Sequence, residues 1–108
     1  MKTIFVKNFS EFPGPRYRKL GTASGEEFRL EVLAPEIEKN GVENISIDLD
    51  GTCGYGSSFL EEAFGGLVRE KVISPKQSKI LVENLISEED PSLIDEIKAY
   101  VSEACKEV

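Results

Sequence analysis

Residues 45–68 constrain this chain more than any other stretch. Ile45, Ile47 and Leu49 alternate with Ser46 and Asp48, the period-two pattern of a strand with one buried face. Gly51, Gly54 and Gly56 then break the regular structure. From Ser58 the period changes. Phe59, Leu60, Ala63, Phe64, Leu67 and Val68 recur at the spacing of an amphipathic helix. A strand that passes through a glycine turn into a helix is the building unit of an α/β sheet. Its turn lies beyond the carboxyl end of the strand, where ligands gather in such folds. Gly65 and Gly66 inside the helix cost about 1 kcal/mol each relative to Ala, which close packing on the sheet would explain.

The flanks extend this unit. Residues 2–7 suit a strand. Pro13-Gly14-Pro15 forces a turn, and residues 16–20 are read as a short second strand. Ser24 and Glu27 have capping-box spacing ahead of Phe28, Val32, Leu33 and Ile37. Pro35 should kink or split that helix near Leu33-Ala34, and Asn40-Gly41 should stop it. Ser74-Pro75 breaks the chain again. Residues 79–85, with Ile80, Leu81 and Val82, are read as a third main strand, with a helix as the competing reading. Asp90 and Pro91 supply N-cap and N1 of a last helix, whose apolar face is Leu93, Ile94, Ile97, Tyr100, Val101, Ala104 and Cys105. The order predicts a single α/β domain over residues 1–108. It is a sandwich with a mixed, mostly parallel central sheet of about four strands and helices packed against it. The strand at 45–49 should be central, with Phe59, Phe64, Leu67, Leu93, Ile97 and Val101 in the core.

Several function classes are excluded by what the chain lacks. It has no histidine and only two cysteines, Cys53 and Cys105, so neither a zinc quartet nor a histidine relay can be built from it. Net charge is −7. Residues 1–20 carry five cations against one acid, and the remainder carries eight against nineteen. That balance disfavours nucleic acid as a partner. No apolar run approaches the ~20 residues needed to span a bilayer. The segment 1–7 is too short and too charged for a signal peptide, so a cytoplasmic protein with no membrane association is expected.

The glycine-rich turn is the place for chemistry. It gathers backbone N–H groups and two hydroxyls at the start of a helix, an arrangement that binds anions or presents a serine to a kinase. Its spacing is neither that of a P-loop nor that of a dinucleotide-binding turn, so no cofactor is expected. Asp48 and Asp50 are strand-end carboxylates without a third partner, so no metal site is assigned. Cys105 belongs to the core, and Cys53 is a loop thiol. Ser58 and Glu61 repeat the S-x-x-E spacing, which makes Ser58 the expected N-cap and leaves Ser57 as either an exposed turn residue or a functional one. An anion or partner site here would use Gly54, Gly56, Ser57, Ser58 and Phe59, with Arg16 and Arg18 as its cations. No nucleophile–base pair is apparent, so the chain is read as a non-enzyme. A small anion- or nucleotide-binding domain is the alternative.

Asp48-Leu49 followed by Gly56-Ser57-Ser58-Phe59-Leu60 resembles the motif of STAS domains (sulfate transporter and anti-sigma factor antagonist) without a gap. More closely, the chain resembles an uncharacterised STAS-like family. That likeness is carried by Pro13-Gly14-Pro15-Arg16, by Ser24-Gly25-Glu26-Glu27-Phe28-Arg29, by Asp48-Leu49-Asp50-Gly51 and by Ser57 through Leu67. The resemblance implies a regulatory module that acts by protein–protein contact. It further implies a serine phosphoacceptor, addressed by a partner related to histidine-kinase ATPases. By position that serine is Ser57, with Ser58 as the alternative. Where those domains carry an acid before the pair and a glycine after it, this chain has Gly56 and Phe59. The Phe59 ring is expected where a partner's backbone would approach.

Overall fold

A computed structural model of the chain describes residues 1–108. Three strands form one sheet in the order β1-β2-β3: β1 is Lys2–Phe5, β2 is Ile45–Asp48 and β3 is Leu85–Ile86. Both pairings are parallel. The register aligns Ile4, Ile47 and Leu85 in one buried row across the sheet. Thr3 and Ser46 share the opposite face, where their hydroxyls lie 3.0 Å apart. The central place of β2 is as the alternation predicts. Its Ile45 and Ile47, with Leu49 beyond it, are fully buried.

The sheet has three strands, not four, and no antiparallel edge. Residues 16–20 do not pair; Arg18–Leu20 form a 3-10 turn. Residues 79–85 are mostly helix. Ser74 caps Pro75–Glu83 through a complete capping box with Gln77, and Pro75 sits at the first helical position. The serine accepts the Gln77 N–H at 3.1 Å, and the Gln77 side chain accepts the Ser74 N–H at 2.8 Å. A start signal of that strength outweighs the β propensity of Ile80 and Val82. Only Leu85–Ile86 remain to pair with β2.

Helices occupy the connections. A single turn, α1, is Val6–Phe9. Helix α2 runs over residues 25–40 as Gly25–Phe28, a π-helical turn Arg29–Leu33, and Ala34–Asn40. Ser24 caps it, accepting the Glu27 N–H at 3.0 Å. Pro35 neither stops nor splits this helix. It lacks an N–H, and its ring crowds the carbonyl four residues back, so the widened π turn just before it absorbs the misfit. Helix α3 runs over residues 57–69 as Ser57–Leu60, a second π turn Glu61–Gly65, and Gly66–Arg69. Helix α4 is Pro75–Glu83 and α5 is Ser92–Lys106. Asp90 sits one residue further out than predicted, yet its carboxylate accepts the Ser92 N–H at 3.2 Å.

The core joins these layers. Phe59, Phe64, Leu67, Ile97 and Val101 are buried as expected, and Leu93 is half-buried at its margin. Phe28 of α2 stacks on Phe59 of α3 with ring centroids 5.9 Å apart. Where the two π turns meet, Gly66 leaves the space that the Arg29 guanidinium fills. No helix is long and apolar enough to cross a membrane.

Candidate functional site

The turn between β2 and α3 is fastened at both ends. Asp48 accepts the Asp50 N–H at 3.0 Å, which makes it a turn stabiliser. Asp50 accepts the N–H groups of Glu88 and Glu89 at 2.9 and 3.1 Å and the Ser87 hydroxyl at 3.3 Å. The Glu88 N–H is the main reason its carboxyl is held below the ordinary range. Burial opposes this; Glu89, Ser87 and the charge of Lys7 reinforce it. Glu89 in return accepts the Gly51 N–H at 2.8 Å. At the far end the Tyr55 hydroxyl donates to the Leu49 carbonyl at 2.6 Å, and burial pushes this phenol up to about 12. Between these anchors Gly54 adopts φ +127°, a conformation open only to glycine, with open space beside it.

The helix start differs from the expected cap. Helix α3 begins at Ser57, with Gly56 at the N-cap and no side-chain cap. Ser58 therefore does not cap it through Glu61. The Glu61 N–H donates instead to the Ser57 and Ser58 carbonyls, and its carboxylate has partners of its own. Arg69 donates to Glu61 at 2.8 and 3.2 Å, and Arg16 donates to the same carboxylate. Burial alone would raise the Glu61 pKa; Arg69 and Arg16 outweigh it and hold the carboxyl below its usual range. With the cap unused, Ser57 and Ser58 both stand exposed on the first turn. Ser57 lies beside the Tyr100 phenol, whose hydroxyl donates to Glu96 at 2.6 Å. Glu96 is the main cause that raises the Tyr100 pKa, with burial adding and Ser57 opposing.

A charged network lies one turn along α3, and sequence reading missed most of it. Glu62 is buried and pairs with the buried Arg29, which also donates to the Glu62 carbonyl at 3.1 Å. Arg16 and Arg69 approach Glu62 at 3.6 and 3.4 Å. Three arginines thus share two glutamates, and the Nε of Arg29 is buried without a partner. The one signal in the sequence was the position of Glu62, next to Ala63 and Phe64 on the apolar side of the helix.

The remaining candidates do not converge on the turn. Arg16 is committed to the glutamates. Arg18 pairs with Glu31 at 3.2 Å. Phe59 is fully buried between Phe28 and Tyr55, so its ring does not face a partner; only its backbone belongs to the first turn. Cys53 is exposed, and its N–H donates to the Glu11 carbonyl at 2.7 Å. Cys105 is half-buried at the edge of the core.

A family model described as a STAS-like domain of unknown function (DUF4325) matches residues 24–89. The chain belongs to this family. The STAS-like match runs from the cap of α2 to the loop after β3, so it takes in the serine turn, Arg29, Glu61, Glu62 and Arg69. Arg16 and Tyr100 lie outside it. No curated protein and no solved structure matches the chain.

Proposed function

We propose that this STAS-like chain is a non-catalytic regulatory module that works by protein–protein contact and is switched by phosphorylation of Ser57. One observation carries the reading: an exposed serine on an uncapped helix start, held at a fixed place by a turn that is anchored on both sides. A kinase needs an accessible hydroxyl in a reproducible position, and this one has no capping duty. The phosphoryl donor would be ATP on a partner kinase, for which the STAS likeness favours a histidine-kinase-like ATPase. Ser57 Oγ attacks the γ-phosphorus, its proton passes to a base on the kinase, and the bond to the bridging oxygen breaks to release ADP. The product carries about −1.5 to −2 charges at the mouth of α3, where the free N–H groups and the helix dipole favour them. The fold then stays intact while the charge presented to a partner changes.

The anion-binding alternative draws less support, because its two cations are occupied by Glu61, Glu62 and Glu31. The test combines mass spectrometry of the chain recovered from source cells with pull-downs by wild type, Ser57→Ala and Ser57→Asp. Phosphate on Ser57 and a partner set that differs between the variants are expected. The same partners for all three, with no phosphate on Ser57, would leave a constitutive binding module.

A further inference from the structure

Ser57 and Glu61 are four residues apart on α3, so their side chains are neighbours on one helix face. Glu61 is where the network reaches the surface. Its inner partner, Arg29, is 5% exposed and bound to Glu62. Arg69 stands twelve residues beyond Ser57, about 18 Å along the axis, and already reaches back to meet Glu61. Arg16 is different. Its side chain is 30% exposed, as is that of Arg69, but it comes from the segment 10–23, whose only regular element is the turn Arg18–Leu20.

We propose that a phosphate on Ser57 takes Arg16 from Glu61 and thereby repositions the segment 10–23. This rests on Ser57 as the phosphoacceptor. A phosphate offers more charge than a carboxylate and three acceptor oxygens to the guanidinium fork, so it wins the competition for a shared arginine. It also enters acidic surroundings, since Glu61 lies one turn along the same helix face and Glu96 accepts the hydroxyl of the neighbouring Tyr100 at 2.6 Å. Bringing Arg16 over relieves that repulsion, and Arg69 stays behind to neutralise Glu61.

The segment that moves is bonded to both halves of the site. Its Pro15 and Arg16 carbonyls accept the Gly25 and Glu26 N–H groups at 2.9 and 3.0 Å, and its Glu11 carbonyl accepts the Cys53 N–H at 2.7 Å. It also displays Phe12 and Leu20, 70% and 63% exposed, with Tyr17 and three of the chain's cations. A shift of Arg16 therefore changes a surface that is both apolar and basic, in a segment none of whose residues is buried in the core.

The experiment installs phosphoserine at position 57 by genetic encoding and follows the phosphate by ³¹P NMR titration, with hydrogen exchange at Gly25 and Glu26. The second phosphate pKa is expected to fall by about one unit relative to a phosphoserine peptide of residues 54–62. Arg16→Gln should cancel most of the drop, leaving the part owed to the helix start, and Glu61→Gln, which removes the competitor, should enlarge it. Exchange at Gly25 and Glu26 should quicken several-fold on phosphorylation in wild type and stay unchanged in Arg16→Gln. Arg18→Gln removes the same charge from the same segment and should behave as wild type. If Arg16→Gln titrates as wild type does, or Arg18→Gln matches Arg16→Gln, the exchange of partners is refuted. Because the phosphate is installed, the result is independent of any kinase. Absence of phosphate on Ser57 in cells would sink the functional reading and leave this coupling standing.

Discussion

Two helices in this chain begin with the same four-residue signature, and only one uses it. Ser24-Gly25-Glu26-Glu27 opens α2, where the serine is buried and accepts the Glu27 N–H at 3.0 Å. Ser58-Phe59-Leu60-Glu61 stands at the start of α3, where the helix begins one residue earlier and no side chain caps it. The spacing is the same, so the difference lies in where the fold starts the helix. At α2 the Glu27 N–H is left for the Ser24 hydroxyl, whereas at α3 the Glu61 N–H is taken by the Ser57 and Ser58 carbonyls, and its carboxylate turns to Arg69 and Arg16. A start one residue early places Ser58 inside the first turn and leaves both serines exposed. A capping motif is thus a statement about local preference, which the tertiary placement of a helix start can overrule.

The comparison can be broken most severely where the two helices are joined. Arg29→Ala removes the buried partner of Glu62 and leaves it only Arg69 and Arg16, at 3.4 and 3.6 Å, so it should cost roughly 3 kcal/mol in denaturant melts, the low end for a broken buried pair. A loss below about 1 kcal/mol would mean that the pair is solvated and the helices are held by Phe28 and Phe59 alone. The caps come next. Ser24→Ala should cost about 1 kcal/mol, within the range for a lost N-cap. The pH dependence is smaller. Glu61 is held below its ordinary pKa in the fold, so its pairing stabilises the protein above the unfolded glutamate range and is lost as pH falls through the folded value. Acid titration of stability should therefore be shallower in Glu61→Gln. Because the carboxylate is partly exposed, the difference should stay under about 1 kcal/mol. Ser58→Ala should change stability by no more than about 0.5 kcal/mol. A loss as large as that of Ser24→Ala would show that Ser58 caps α3 in solution after all.

The same contrast explains how far the sequence could be read. The alternation of Ile45, Ile47 and Leu49 and the 3.6-residue period from Phe59 to Val68 are strong because each reports one buried face, and both elements stand where they were placed. Ile80-Leu81-Val82 carried no such period. The deciding signal is Ser74-Pro75 with Gln77, a helix start whose Ser-Pro pair on its own reads only as a break. The turn that presents Ser57 was legible from its glycines. The network beside it was not, since Arg16, Arg29 and Arg69 come from three parts of the chain, and each alone looks like a solvated surface charge. Pro35 showed a similar gap: its misfit was foreseen, but the π turn that accommodates it depends on neighbours no local pattern records.

The space at Gly66 that holds the Arg29 guanidinium has an evolutionary corollary. A side chain there would overlap the guanidinium, and without Arg29 the buried Glu62 would lose its nearest partner. The three positions are coupled. Descendants of this sequence should keep Gly66, Arg29 and Glu62 as a set or exchange all three for apolar residues. Intermediates with one replaced should be rare, because each passes through a destabilised protein.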